Sequence, residues 1–100
     1  MHYLLFYEKV PDYSQREPAF QTAHREHVLA AVARGDLLLG GPLEGSVDGA
    51  NVLLFQAESP VTAESFATAD PYVKGGVVCR WHVRPWRTVV GKDAACPLPN

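Results

Sequence analysis

The residues best suited to acid–base chemistry are two histidines in one predicted helix, His24 and His27. His24 follows Phe20 by four residues and precedes Val28 by four, so it lies in the middle of the apolar stripe of that helix. A histidine there is either a core side chain bonded to a backbone carbonyl or a general base that works near neutral pH, and the pattern favours neither. His27 lies on the flank of the stripe.

Asp70 is the second residue in an unusual place. It ends another predicted helix, where the helix dipole disfavours a carboxylate, and it directly precedes Pro71 and Tyr72. An Asp-Pro pair often begins a turn, and for Asp70 taken alone that interpretation is the better one. If the two helices pack side by side on one sheet, however, the carboxylate can accept the imidazole N–H of His24, fix its tautomer and raise its basicity.

The spacing of histidines and cysteines indicates no metal site. His24 and His27 are three residues apart, but no HExxH pattern accompanies them, and Cys79 and Cys96 stand outside any CxxC spacing. A heme or metal site that combines His24 with His27 or His82 therefore lacks a supporting motif. We expect no metal, flavin or heme cofactor.

Six elements must position these side chains. The first predicted strand covers residues 2–8, and the helix that carries both histidines covers 14–34, begins at Ser14 or Pro18 and ends at Gly35. The remaining elements are strands at 36–43 and 51–57, a helix at 61–69 that Pro71 stops, and a last strand region at 76–90 with a break or an edge at Pro85.

This order predicts an α+β fold of the ferredoxin-like βαββαβ type, with a four-stranded antiparallel sheet and two helices on one face. Residues 1–90 form a single domain and 91–100 a C-terminal tail. The last strand alternates, with Val78, Arg80 and His82 on the face that the helices leave open. Because no further element can cover that face, we expect a homodimer through it.

Composition narrows the range of partners. The chain has 100 residues, 47% of them hydrophobic, and a formal net charge of -2, which provides no basic surface for nucleic acid or an anionic membrane. Its first apolar run is interrupted by Glu8 long before it reaches a membrane-spanning length. We expect a cytoplasmic protein with reduced cysteines, no nucleic-acid partner and no membrane association.

Several of these segments together resemble the YCII-related (YciI-like) family. The resemblance is carried by His24 eleven residues before Gly35, and it extends over nearly the whole chain through Gly41-Pro42-Leu43, Asp70-Pro71-Tyr72-Val73, Gly76-Val77 and Val83-Arg84-Pro85-Trp86. It implies a ferredoxin-like fold that forms dimeric α/β barrels, and an active site that contains the pair His24 and Asp70. The sequence departs from the family pattern at Gln21 and Arg25, where relatives sometimes carry an arginine and often an apolar residue.

The resemblance also implies a function, because one branch of the family is similar to an enzyme that removes HCl from a chlorinated hydroxyhydroquinone. We therefore expect a cofactor-independent lyase or isomerase of a small oxygenated ring, with His24 as the base and Asp70 orienting it. The alternative is a non-catalytic ligand-binding or stress-associated dimer. Tyr72 and Trp81 are candidate pocket walls, and Arg80, Arg84 or Arg87 are candidates to hold a phenolate.

Further aromatic and aliphatic residues are candidates for the pocket walls, although each is better explained as ordinary core. They are Tyr3, Leu5, Phe6, Tyr7, Leu39 and Trp86.

Overall fold

The fold contains one sheet and two main helices; the structure, a computed structural model, describes residues 1–45 and 48–99. In chain order the elements are β1 (His2–Lys9), α1 (Tyr13–Arg16), a 3₁₀ turn (Glu17–Ala19), α2 (Gln21–Ala33), β2 (Leu37–Pro42), β3 (Asn51–Gln56), α3 (Val61–Ala69), α4 (Pro71–Lys74) and β4 (Val78–Trp86).

The four strands form one antiparallel sheet in the order β2-β3-β1-β4. β1 lies in its centre, and Leu5 is opposite Leu53 of β3 on one side and Val83 of β4 on the other. The predicted α+β, ferredoxin-like fold is therefore confirmed. No helix in the described part of the chain is long and apolar enough to cross a membrane.

The core lies between the sheet and the helices. Alternate residues of β1, namely Tyr3, Leu5 and Tyr7, are buried on the helix-covered face. Phe55 of β3 meets Phe66 of α3 edge to face, with ring centroids 5.1 Å apart. Both main helices thus pack on the same face, as predicted.

The helix predicted over 14–34 is divided into three pieces. Pro18 lacks an amide donor and lies in the 3₁₀ turn, so the regular helix α2 begins only at Gln21, later than either predicted start. Its predicted end is confirmed, because Gly35 adopts a φ of 83° that favours glycine.

The second helical region has one more element than predicted. The helix at 61–69 is confirmed, and the Ser59 hydroxyl accepts a hydrogen bond from the Val61 amide (3.3 Å). Asp70 is extended, with a ψ of 124°, because a residue before proline avoids the helical region. After it the chain forms α4, a single turn that the sequence analysis did not predict.

The last strand is shorter than the predicted 76–90 region, and part of its predicted alternation is wrong. The register shifts between Glu8 and Lys9 of β1, opposite which β4 contains the extra residue Cys79, so Val78 pairs with Lys9 and is 4% exposed in the core. Val78 therefore does not lie on the open face. The tail is not free: the amides of Cys96 and Leu98 donate to the carbonyls of Thr88 and Val89.

Candidate active site

Asp70 and His24 are joined by a hydrogen bond in the core. The His24 Nδ1 atom lies 2.7 Å from Oδ1 of Asp70, whose side chain is fully buried. The same Oδ1 accepts the Tyr72 amide at 2.9 Å, and Oδ2 accepts the Tyr7 hydroxyl at 2.7 Å. Three hydrogen-bond donors around a buried carboxylate stabilise its ionised form.

Local sequence explains why Asp70 points at His24. Pro71 keeps Asp70 extended, and its carboxylate then caps α4 by accepting the Tyr72 amide. Asp70 therefore makes both contacts that its interpretations required, one within the turn and one with the imidazole. The turn positions the carboxylate, and the Oδ1 atom then lies within hydrogen-bond distance of the imidazole of His24 on α2.

The ionisation of Asp70 follows from these contacts. Burial alone would raise the pKa of its carboxyl, but the hydrogen bonds from His24, Tyr7 and the Tyr72 amide together outweigh burial and hold that pKa below its usual range. Since an ionised carboxylate only accepts hydrogen bonds, Nδ1 of His24 must carry the proton. Nε2 of the neutral ring is then an unprotonated acceptor that can take a proton from a bound molecule.

The ring of His24 is also held by stacking. It lies parallel to the ring of Tyr72, with centroids 3.7 Å and planes 4° apart. Its side chain is 22% exposed, so one part of the ring meets solvent while Nδ1 faces the core. An imidazole fixed by both a hydrogen bond and a stacking contact needs little reorganisation for a proton transfer.

Tyr7 belongs to the same network, although the sequence analysis proposed it only as a wall. Burial, followed by the negative charge and hydrogen bond of Asp70, raises the pKa of the Tyr7 phenol far above its usual value. Tyr7 therefore remains a protonated donor to Asp70. The sequence did contain a signal for this position of Tyr7. Tyr3, Leu5 and Tyr7 are alternate residues of the central strand and therefore lie on the same, helix-covered face.

His24, but not the fully buried Asp70, borders a cavity of about 420 Å³ between α2 and the sheet half formed by β2 and β3. Two of the lining residues are glycines, and a Cβ at Gly40 would lie only 3.3 Å from Leu53 Cγ, so Gly40 allows β2 to pack closely against the Leu53 side chain. The cavity is lined by Tyr7, Lys9, His24, Val28, Val32, Leu37, Leu38, Leu39, Gly40, Gly41, Asn51, Leu53 and Tyr72. Apolar walls with a few polar groups suit a small ring.

The structure brings together some predicted site residues and separates others. Tyr72 lines the cavity, and Trp81 packs beside Tyr7 against the core without lining it. Arg80 and Arg84 lie opposite Glu8 and Leu4 on the open face of the sheet, and Arg87 borders a groove at one end of that face. None of the three arginines is among the residues that line the cavity beside His24; for Arg80 and Arg84 the reason is that side chains alternate across a sheet.

The other histidines have partners of their own. His27 Nε2 lies 2.9 Å from the carbonyl oxygen of Phe66, His82 stacks on Phe6 on the open face, and His2 Nδ1 lies 2.6 Å from the Thr88 hydroxyl. Within residues 1–45 and 48–99, no three histidine, cysteine or acidic side chains form a group that could hold a metal ion.

The family follows from the sequence as a whole. The profile of the YCII-related domain matches residues 1–87, and the chain belongs to this family. An uncharacterized protein of Haemophilus influenzae (strain ATCC 51907 / DSM 11121 / KW20 / Rd) is 28% identical over 98 residues, which cover 89% of this chain and 99% of that protein.

Among solved structures, the fold is similar to that of 5-chloro-2-hydroxyhydroquinone dehydrochlorinase (TftG) from Burkholderia phenoliruptrix AC1100 in complex with 2,5-dihydroxybenzoquinone. The TM-score is 0.74 at 24% identity, over 88% of this chain and 95% of that chain. Rv0793 from Mycobacterium tuberculosis is a weaker match, with a TM-score of 0.46 at 15% identity over 94% of this chain and 96% of the other.

Proposed function

We propose that this protein is a cofactor-independent lyase that eliminates HCl from a chlorinated hydroxyhydroquinone, with His24 as general base and Asp70 as its orienting carboxylate. The observation that carries the proposal is the 2.7 Å contact between His24 Nδ1 and the ionised Asp70, beside an apolar cavity of about 420 Å³. The similarity in fold to a chlorohydroxyhydroquinone dehydrochlorinase supports this choice of substrate class.

The reaction requires proton movement but no external oxidant. Two hydroxyl protons leave oxygen: one is transferred to the carbon that bears chlorine, and the other leaves with chloride as HCl. The electron pair of the C–Cl bond departs with chloride, and the hydroquinone becomes a hydroxyquinone. A neutral imidazole suits both proton steps, since it accepts a proton from oxygen and returns it to carbon near neutral pH.

The test is chloride release from 5-chloro-2-hydroxyhydroquinone, followed together with quinone absorbance. We expect turnover by the wild type and its loss in His24→Ala, with most of the affinity for 2,5-dihydroxybenzoquinone retained because the other lining residues remain. Binding of the quinone without any chloride release would contradict the lyase and identify the ligand-binding alternative.

We also propose that the protein is a homodimer through the open face of the sheet. That face carries the half-buried Leu4, Phe6 and Leu54, and at its edge Leu39 is 70% exposed. An apolar face of this kind is stabilised when a second copy covers it. Sedimentation at micromolar concentration should give a dimer, and a species of 11.0 kDa, the mass of one chain, would contradict the proposal.

We also propose that the protein is cytoplasmic. Cys79 and Cys96 are free thiols, which suits the reducing conditions of the cytoplasm.

A further inference from the structure

Lys9 is the cationic side chain among the residues that line the cavity beside His24. It is the last residue of β1, lies on the same face of that strand as Tyr7, and its side chain is only 11% exposed. Lysine is rarely so deeply buried unless its charge has a partner, so the position of this ammonium requires an explanation.

Glu17 holds the Lys9 side chain in place. The Lys9 Nζ atom donates to Glu17 Oε1 at 2.8 Å, and Glu17 lies in the 3₁₀ turn that Pro18 imposes before α2. Glu17 is not among the residues that line the cavity, so the carboxylate restrains the ammonium from outside. An ammonium has three N–H donors, and this contact uses one of them.

The Lys9 ammonium lies close to the ring of Tyr72, on which His24 stacks. Nζ is 5.8 Å from the centroid of the Tyr72 ring and 5.1 Å from that of Tyr13. Because Tyr72 also stacks on His24, the cation and the imidazole lie around one aromatic ring at the border of one cavity. A ligand placed in the cavity therefore has both residues among the walls around it.

We infer that Lys9 is the substrate-anchoring residue of this site, and that the ligand it selects is a ring with an ionised oxygen. The inference rests on the proposed function and deepens it, because a base that removes a hydroxyl proton leaves an oxyanion that a fixed ammonium stabilises. The held geometry matters, since an ammonium already fixed by Glu17 loses little freedom when the ligand binds. This assignment replaces Arg80 and Arg84, which lie on the other face of the sheet.

The experiment compares two quinones by calorimetry. 2,5-Dihydroxybenzoquinone is a vinylogous acid that is anionic at neutral pH, whereas 2,5-dimethoxybenzoquinone has the same ring without a charge. We expect Lys9→Met to weaken binding of the dihydroxyquinone by roughly 10-fold or more, the scale of a lost hydrogen bond between charged groups. Binding of the dimethoxyquinone should be unchanged, which also verifies that the variant is folded.

Two further variants act as controls. Lys9→Arg should retain most of the preference for the anion, and Lys74→Met, which removes an exposed cation of α4 outside the cavity lining, should leave both affinities unchanged. The inference is overturned if Lys9→Met weakens both quinones equally, if it weakens neither, or if the wild type binds neither.

These outcomes separate the inference from the proposed function. If binding is charge-selective and depends on Lys9 but no chloride is released, the role of Lys9 as the anchor is supported and the lyase function is contradicted. Chloride release that depends on His24, without charge selectivity at Lys9, leaves the lyase and removes the anchor.

Discussion

His24 and His27 lie one turn apart on α2, and both contact the second helical region, but their surroundings differ. His24 bonds to the ionised carboxylate of Asp70 and stacks on Tyr72. His27 bonds to the carbonyl oxygen of Phe66 and stacks on the Phe66 ring, with centroids 4.4 Å apart. The same residue type on the same helix therefore has two different partners, one charged and one neutral.

The charge of the acceptor decides what each ring can do. A carboxylate stabilises the imidazolium that forms when His24 takes a proton, whereas a backbone carbonyl offers His27 only a neutral hydrogen bond. His24 also borders the cavity, while His27 is not among its lining residues. The comparison predicts that the chemistry depends on His24 and its partners, and that His27 serves helix packing.

The largest expected effect follows from removing the charge that distinguishes the two sites. Asp70→Asn keeps the size and the turn preference of the residue, so we expect a folded protein. Chloride release should fall by roughly 10²-fold, the scale of a misoriented general base. Steady-state rates measured beside circular dichroism spectra test this, and an Asn variant that retains the wild-type rate would show that the charge is not used.

Acid should abolish the stability that the Asp70 contacts provide. The folded-state pKa of Asp70 lies below its unfolded value of about 3.9, so its ionised form stabilises the fold above that pH, and the contribution is lost as pH falls through the folded-state pKa. Urea unfolding should give a difference between the wild type and Asp70→Asn that is present at about pH 5 and shrinks in stronger acid. A difference that grows toward low pH would mean that the folded-state pKa is raised.

Tyr7→Phe should have a smaller effect, because it removes one of three donors to Asp70 and leaves the His24 contact intact. We expect chloride release to fall by about 5- to 10-fold, corresponding to one hydrogen bond of about 1 kcal/mol. Tyr3→Phe, on the same face of β1 but outside this network, is the matched control and should leave the rate unchanged. Equal rates for Tyr7→Phe and the wild type would remove Tyr7 from the network's function.

The smallest effect on the rate is expected at His27. His27→Ala removes the hydrogen bond to Phe66 and the stacking contact, and should lower the free energy of unfolding by about 1–2 kcal/mol. The rate of chloride release at saturating substrate should change by less than about 3-fold, since the ring is not placed to reach the cavity. Thermal unfolding and chloride release measured on one preparation separate the two effects.

Several parts of the site were predictable from local sequence. The four-residue spacing of Phe20, His24 and Val28 placed the histidine on the buried side of its helix, and the proline after Asp70 fixed the backbone that aims the carboxylate. The interpretation of His24 as a core histidine bonded to a backbone carbonyl instead describes His27. The hydrophobic pattern of the helix indicated which side of it each histidine occupies. The hydrogen-bond partner of each histidine depends on how α2 aligns with the second helical region, which the pattern does not contain.

Other features depend on contacts that no short pattern contains. The extra residue Cys79 in β4 placed Val78 on the face opposite to the expected one, because the alternation of side chains does not continue through a bulge. Arg80 and Arg84 were recognised as polar-face residues, but the cavity lies on the opposite face. Lys9 was not recognised, although it shares the parity of Tyr7 in β1, because its ion pair with Glu17 is not visible in a short pattern.

The tautomers of the two histidines test the central claim most directly. Long-range ¹H–¹⁵N correlation spectra of the ¹⁵N-labelled protein, at about pH 8 and thus above the usual histidine pKa of about 6.5, report which ring nitrogen carries the proton. The contacts predict opposite tautomers: Nδ1–H for His24, which donates to Asp70, and Nε2–H for His27, which donates to Phe66. Asp70→Asn should alter the His24 pattern alone. An Nε2–H tautomer at His24 in the wild type would contradict the account, because the nitrogen assigned as the base would then already carry a proton.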